Sequence, residues 1–246
     1  EMAFCDWSSD VCSSDLILQM RKIKILGLTL VVCFSFIKCG THKSHSNNSI
    51  EKHAAHAIQT PDEAILELKN GNKRFLQNKP INTDYKSQIE HTKSDQHPHT
   101  LILSCLDSRV PPEIIFDQGI GNIFVARNAG NIEDQNILGS MEFATKVKGT
   151  KLIVVMGHNH CGAVKGAVDD VELGHLTQLV NQIKPAIVQN EDKKLMLDET
   201  SKNSVQRTID DILRLSHVIE ELVKKNQVKI VGAYYNIENG KVTFFD

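Results

Sequence analysis

The stretch 151-KLIVVMGHNHCGAV-164 joins six residues suited to a buried strand to a glycine-bounded turn, and then to a segment with helical potential. A short apolar run of β-branched residues that ends at Gly157 and is followed by "AVKGAV" reads as strand, sharp turn, helix. The same alternation recurs around it. "TLILS" (100–104), "NIFVA" (122–126) and "VKIVGAYY" (228–235) are further strands, and residues 134–147 and 203–225 carry helical periodicity, the first ending near Gly149. Strands alternating with helices predict an α/β fold: a mainly parallel central sheet flanked by helices. Asn239-Gly240 leads into "KVTFF", which adds a C-terminal antiparallel edge strand.

Upstream, Thr60, Pro61 and Glu63 form a capping signature for an amphipathic helix over 61–78, marked by Ile65, Leu68, Phe75 and Leu76. A polar, histidine-containing linker then runs to about residue 99. Residues 61–246 thus read as one domain without internal repeats.

The N-terminal part has a different character. Asp6–Leu16, "DWSSDVCSSDL", is the in-frame translation of a string resembling a sequencing-library adaptor, so residues 1–19 are expected to be a non-native leader. Met20 opens a basic stretch (Arg21, Lys22, Lys24) and an apolar run. Residues 20–39 therefore read as an export signal, too short to span a bilayer. Cys39 occupies the place of a lipidated cysteine, although Lys38 stands before it where a small residue is usual. Residues 40–60 are a polar tether. The expected location is outside the cytoplasm, periplasmic or at the cell envelope, with a lipid anchor through Cys39 as an option.

The 246 residues carry a formal net charge of −2, and no Lys/Arg stripe alternates with aromatics, which argues against a nucleic-acid partner. Of six cysteines, Cys5 and Cys12 fall in the leader, Cys33 in the signal and Cys39 at the lipid site. Cys105 and Cys161 remain for the domain. In an exported protein such a pair can be a disulfide. It can also be half of a metal site, because Cys105 follows "LILS" and His158 to Cys161 follow "KLIVVM", both at the carboxyl edge of a parallel sheet.

His158 and Cys161, separated by two residues, suit one metal ion in a tight turn, whereas the adjacent His160 and Cys161 diverge. Cys105 completes a Cys2His set, which leaves one tetrahedral position open and favours zinc. In "CLDSR", Asp107 can orient a metal-bound water and Arg109 can hold that carboxylate ionised.

"CLDSR" followed by "HNHCG" resembles the β-class carbonic anhydrases, whose motifs are C-x-D-x-R and H-x-x-C. The similarity extends from about residue 61 to the C-terminus through "VPPEIIFDQGIGNIFVARNAGN", "ILGSMEFA" and "VGAYYNIENGKV". The resemblance implies one Zn2+ per chain on Cys105, His158 and Cys161, an Asp107–Arg109 dyad, and reversible hydration of carbon dioxide to bicarbonate by zinc-hydroxide attack.

It also implies a substrate pocket of Gln96, Phe124, Ala129, Phe143 and Gly162, with Phe143 in place of a common Tyr and Ala129 smaller than the usual aliphatic. Ile102 stands where family members with an inhibitory bicarbonate site have Trp, so that regulation is not expected even though Arg127 is present. A homodimer or tetramer is implied, with each active site built across the dimer interface. His160 and His175 are candidate proton shuttles.

Two other readings stay open. The same chemistry could hydrolyse carbonyl sulfide or carbon disulfide. Alternatively, the chain could be a non-catalytic exported zinc-binding protein using His42, His45, His53, His56, His91, His97 and His99.

Overall fold

The computed structural model describes residues 58–245. The leader, the export signal, Cys39 and most of the tether lie outside the described residues.

Two strands carry the fold. β1 (Thr100–Cys105) and β3 (Leu152–His158) are buried along their whole length. Because strand side chains alternate, each strand feeds two cores, which is why both read as continuous apolar runs. Ile102, Leu152, Val154 and Met156 face α1 (Pro61–Leu76) and α3 (Pro112–Ile115). Leu101, Leu103, Ile153 and Val155 face α4 (Gln135–Glu142), α7 (Lys193–Leu215) and α8 (His217–Lys224).

β2 (Ile123–Asn128) pairs parallel with β1, and β4 (Lys229–Tyr235) pairs parallel with β3. β5 (Val242–Phe245) closes the sheet antiparallel to β4, giving the order β2-β1-β3-β4-β5. The chain steps from β1 outward to β2 and then crosses to β3 on the other side of β1. The strand order therefore reverses between β1 and β3, and a crevice opens at their carboxyl ends, where ligands of such sheets bind.

Helix α1 starts as its sequence dictates. The Glu63 N–H donates to Thr60 Oγ1 at 3.2 Å, and the Thr60 N–H to Glu63 Oε2 at 3.0 Å. Its buried Asn72 fastens three elements, donating to the carbonyls of Ile115 (3.1 Å) and Gly240 (3.0 Å) and accepting from the Val242 N–H (3.0 Å).

Several elements depart from the sequence reading. The polar linker contains a helix, α2 (Tyr85–Thr92), capped by Asp84; it buries no residue and so shows no apolar stripe. Helices α3 and α6 (Gly174–Ile183) went unread. The segment expected over 134–147 runs as α4 into a π-helical turn, Phe143–Val147. The segment expected over 203–225 begins at Lys193 and breaks at Ser216, which ends α7 and caps α8 through its Oγ and the Ile219 N–H (3.2 Å).

Candidate metal centre

Three metal-capable side chains meet in the crevice. Cys105 is the last residue of β1, His158 the last of β3, and Cys161 the N-cap of α5 (Gly162–Val168). Their ligating atoms lie within 4.8 Å of one another, and all three residues are buried. The two sulfurs stand 3.9 Å apart and both thiols are free. A disulfide needs about 2.05 Å, whereas two sulfurs each about 2.3 Å from a tetrahedral zinc ion stand about 3.8 Å apart.

The histidine supplies a second test of fit. His158 Nδ1 lies 2.8 Å from the Asn159 carbonyl and can only donate to it, so in the neutral ring Nε2 is the nitrogen that carries the lone pair. That Nε2 is fully buried without a hydrogen-bond partner. A bare imidazole nitrogen beside two sulfurs is costly to bury unless it ligates a soft cation, so the donor set fits zinc.

The supports are local and specific. The Ile237 N–H donates to Asn159 Oδ1 (2.7 Å), and Ser201 Oγ donates to the His158 carbonyl (3.1 Å). Gly157 lets α7 approach closely: a Cβ there would stand 2.8 Å from Val205 and 3.1 Å from Ser201. The Gly130 N–H points at Cys105 Sγ from 3.4 Å. The Cys105 thiol is pushed down, chiefly because the Cys161 S–H donates to it; Cys161 is pushed up by holding that shared proton.

Asp107 faces Arg109. The Arg109 N–H and Nε reach Oδ1 at 2.9 Å, and a terminal guanidinium nitrogen reaches Oδ2 at 2.7 Å. The guanidinium holds the Asp107 carboxyl down at about 2. Arg109 also donates to the His160 carbonyl at 3.4 Å, joining the two metal-bearing loops. His160 itself takes a left-handed backbone (φ 55°) and turns to Glu238 at 2.9 Å, away from the metal donors. His175 is exposed on α6.

The remaining pocket candidates are spread out. Gly162 follows the metal donor Cys161 in the chain, and Ala129 precedes Gly130, whose N–H points at Cys105 Sγ. Phe124 pairs with Leu101 in register, four residues and so about 13 Å back along the sheet from Cys105. Its ring meets Phe143 edge-on at 6.4 Å, and both line a groove of about 620 Å³ with Leu101, Ala126 and Ile137. Gln96 precedes β1 and lines a different groove with Lys148 and Ile120, at the opposite end of the strand from Cys105. This chain brings neither Gln96 nor the two phenylalanines to its own metal donors.

Sequence reasoning missed Asn159, Ser201 and Gly130 as supports of the centre. Asn159 lies inside the H-x-x-C turn and could have been suspected; Ser201 is 43 residues from His158 with no local signal. Ile102 is wholly buried in the core.

A mainly parallel α/β sheet with a Cys2His centre at its switch point defines the class of protein. The family model described as carbonic anhydrase matches residues 100–242. Carbonic anhydrase 2 of Mycobacterium tuberculosis is 36% identical over 196 residues, spanning 76% of this chain and 93% of that protein. The carbonic anhydrase of Mycolicibacterium smegmatis is 35% identical over 189 residues, spanning 74% and 92%. Among solved structures, the β-carbonic anhydrase CafA of Aspergillus fumigatus superimposes with a TM-score of 0.63 at 21% identity, covering 75% of this chain and 90% of that one. The β-carbonic anhydrase CcaA does so with 0.61 at 24% identity, covering 74% and 95%. The chain belongs to the carbonic anhydrase family, and its fold is that of the β-class.

Proposed function

We propose that the protein is a carbonic anhydrase, a lyase that interconverts carbon dioxide and bicarbonate, with one zinc ion held by Cys105, His158 and Cys161. The observation that carries this reading is the bare, buried Nε2 of His158 beside two free thiols and the ionised Asp107. Zinc, when bound, supplies the Lewis acidity that brings the pKa of water towards neutrality.

The chain's own residues do the rest. Asp107 carries no proton at working pH, so it accepts a hydrogen bond from the attacking water and fixes its direction. Arg109 occupies both Asp107 oxygens from one side and keeps the carboxylate from rotating. The Asn159 carbonyl holds the His158 ring with Nε2 facing the two thiols.

The substrate pocket is completed in a homodimer, alone or doubled to a tetramer. Support comes from the separation within one chain of Gln96, Phe124 and Phe143 from the metal donors. The Sordaria macrospora β-carbonic anhydrases, with a TM-score of 0.59, are tetrameric. Export, and a lipid anchor on Cys39, rest on the pattern of residues 20–39 alone; cell fractionation of wild type and Cys39→Ala tests both. A metal-buffering role has less support. Among the described residues, Cys105, His158 and Cys161 are the one group of three or more metal-capable side chains that lies together, and His91, His97 and His99 are not in it; His42, His45, His53 and His56 lie outside the described residues.

Stopped-flow hydration of carbon dioxide by zinc-loaded protein, set against carbonyl sulfide and carbon disulfide hydrolysis, is the test. Faster turnover of the sulfur compounds would overturn the substrate assignment.

A further inference from the structure

We propose that Arg127 is a positioning residue for this reaction, holding the backbone that carries Cys105 and Asp107. The inference rests on the carbonic anhydrase reading above. The β1–β2 ladder ends at the Cys105–Asn128 pair, followed by one last bond from the Leu106 N–H to the Asn128 carbonyl at 2.9 Å. Beyond it the chain leaves the sheet, and its carbonyls need other donors.

Arg127, at the exposed edge of β2, supplies them. Its Nε donates to the Cys105 carbonyl at 3.0 Å and a terminal nitrogen to the Asp107 carbonyl at 2.6 Å. One rigid fork spanning two carbonyls sets the distance between them, which a flexible ammonium cannot do. Those carbonyls belong to a thiolate donor and to the carboxylate that orients water. The constraint then passes on through Asp107 to Arg109 and from Arg109 to the His160 carbonyl on the second metal loop. Arg127 touches no reacting atom, so its effect must be transmitted through this turn.

The test compares zinc-loaded wild type, Arg127→Gln and Arg127→Lys in three measurements: the rate of zinc loss to a chelator, kcat and KM for carbon dioxide, and the melting midpoint of the zinc-free protein. Arg127→Gln is expected to lose zinc about ten-fold faster and to lower kcat about ten-fold, with KM unchanged within about two-fold, as removal of a group supporting a metal ligand does. Arg127→Lys, which can keep one carbonyl, is expected to fall between the two.

Zinc release and kcat within about two-fold of wild type in Arg127→Gln would overturn the proposal. So would a lowered zinc-free midpoint with zinc release unchanged, the mark of a purely structural role. If Arg127→Gln does not fold, wild-type zinc release in Arg127→Lys overturns it and accelerated release upholds it. Absence of carbon dioxide turnover in wild type would sink the functional reading, while the chelator rates still decide the role of Arg127.

Discussion

The strand-end centre and the β2–α4 groove are two halves of one implied site, and they differ in how far a single chain finishes them. At the centre almost every polar group has its partner: the His158 ring, the Asp107 carboxylate, the Cys105 carbonyl and the Asn159 side chain are all engaged within the chain. His158 Nε2 is left over, and it faces the two thiols. The groove is the opposite case, with Phe143 46% exposed and packed edge-on against Phe124 over an apolar floor that nothing among the described residues covers. On the function proposed above, activation of water is specified by two loops that close locally, while recognition of an apolar substrate waits on a second copy of the chain. Zinc binding and turnover should therefore be separable by mutation.

The largest break comes at the centre. Cys105→Ser leaves two strong donors, too few for the site, so zinc content measured after dialysis should fall to background and turnover with it. A variant that kept one zinc per chain would refute the ligand set.

Asp107→Asn comes next. It keeps the metal donors and is expected to retain zinc while kcat falls about 100-fold, the scale of a lost proton-orienting group. Because Arg109 holds the carboxyl down at about 2, no part of the wild-type profile near neutral pH belongs to Asp107. Rates that coincide for the two proteins would remove its role.

Phe143→Asp attacks the other half. A charge in the apolar groove should yield monomers by sedimentation, one zinc per chain, and turnover lowered on the order of 10- to 100-fold through lost substrate positioning. A fully active monomer would show that one chain suffices and erase the contrast between the halves.

How much of this was legible follows from the same contrast. β1 and β3 stood out because burial on both faces makes their sequences apolar throughout, and their final residues carry the ligands. α7 was read about ten residues short because the buried residues of its missed part, Thr200 and Ser201, are small and polar and leave no hydrophobic period. α2 left only its Asp84 cap as a signal. The metal ligands were legible since two lie three residues apart and the third ends a neighbouring strand. The bonds of Arg127 and Ser201 were not, because a hydrogen bond between distant segments has no spacing to read.

Away from both halves, Asn72→Ala should leave zinc content intact while stripping the partners from the Val242 N–H and the Ile115 and Gly240 carbonyls. A loss of about 2–4 kcal/mol in urea unfolding is expected for that many buried groups. A smaller loss would mean that water replaces the amide.

The smallest effect is a slope. His99, just before β1, is partly buried between Gln118 and Thr100: its Nε2 meets Gln118 Oε1 at 3.1 Å and its Nδ1 meets Thr100 Oγ1 at 2.7 Å. Both contacts suit the neutral ring, with Nε2–H donating and Nδ1 accepting from the hydroxyl. Burial pushes its pKa below the ordinary 6.5, against the opposing pull of Gln118 and Glu67. Near that value the unfolded chain takes up a proton that the folded chain refuses, so stability rises with pH there. It should be constant above about 6.5 and decline as pH falls from there towards the lower folded-state value. His99→Gln cannot titrate and should flatten that part of the curve. The comparison must be run on zinc-free protein, because acid also displaces a bound metal from its ligands and would add a metal-release slope of the same sign. Parallel curves for wild type and variant would mean that the ring is protonated as readily folded as unfolded, and that its two hydrogen bonds tolerate the charge.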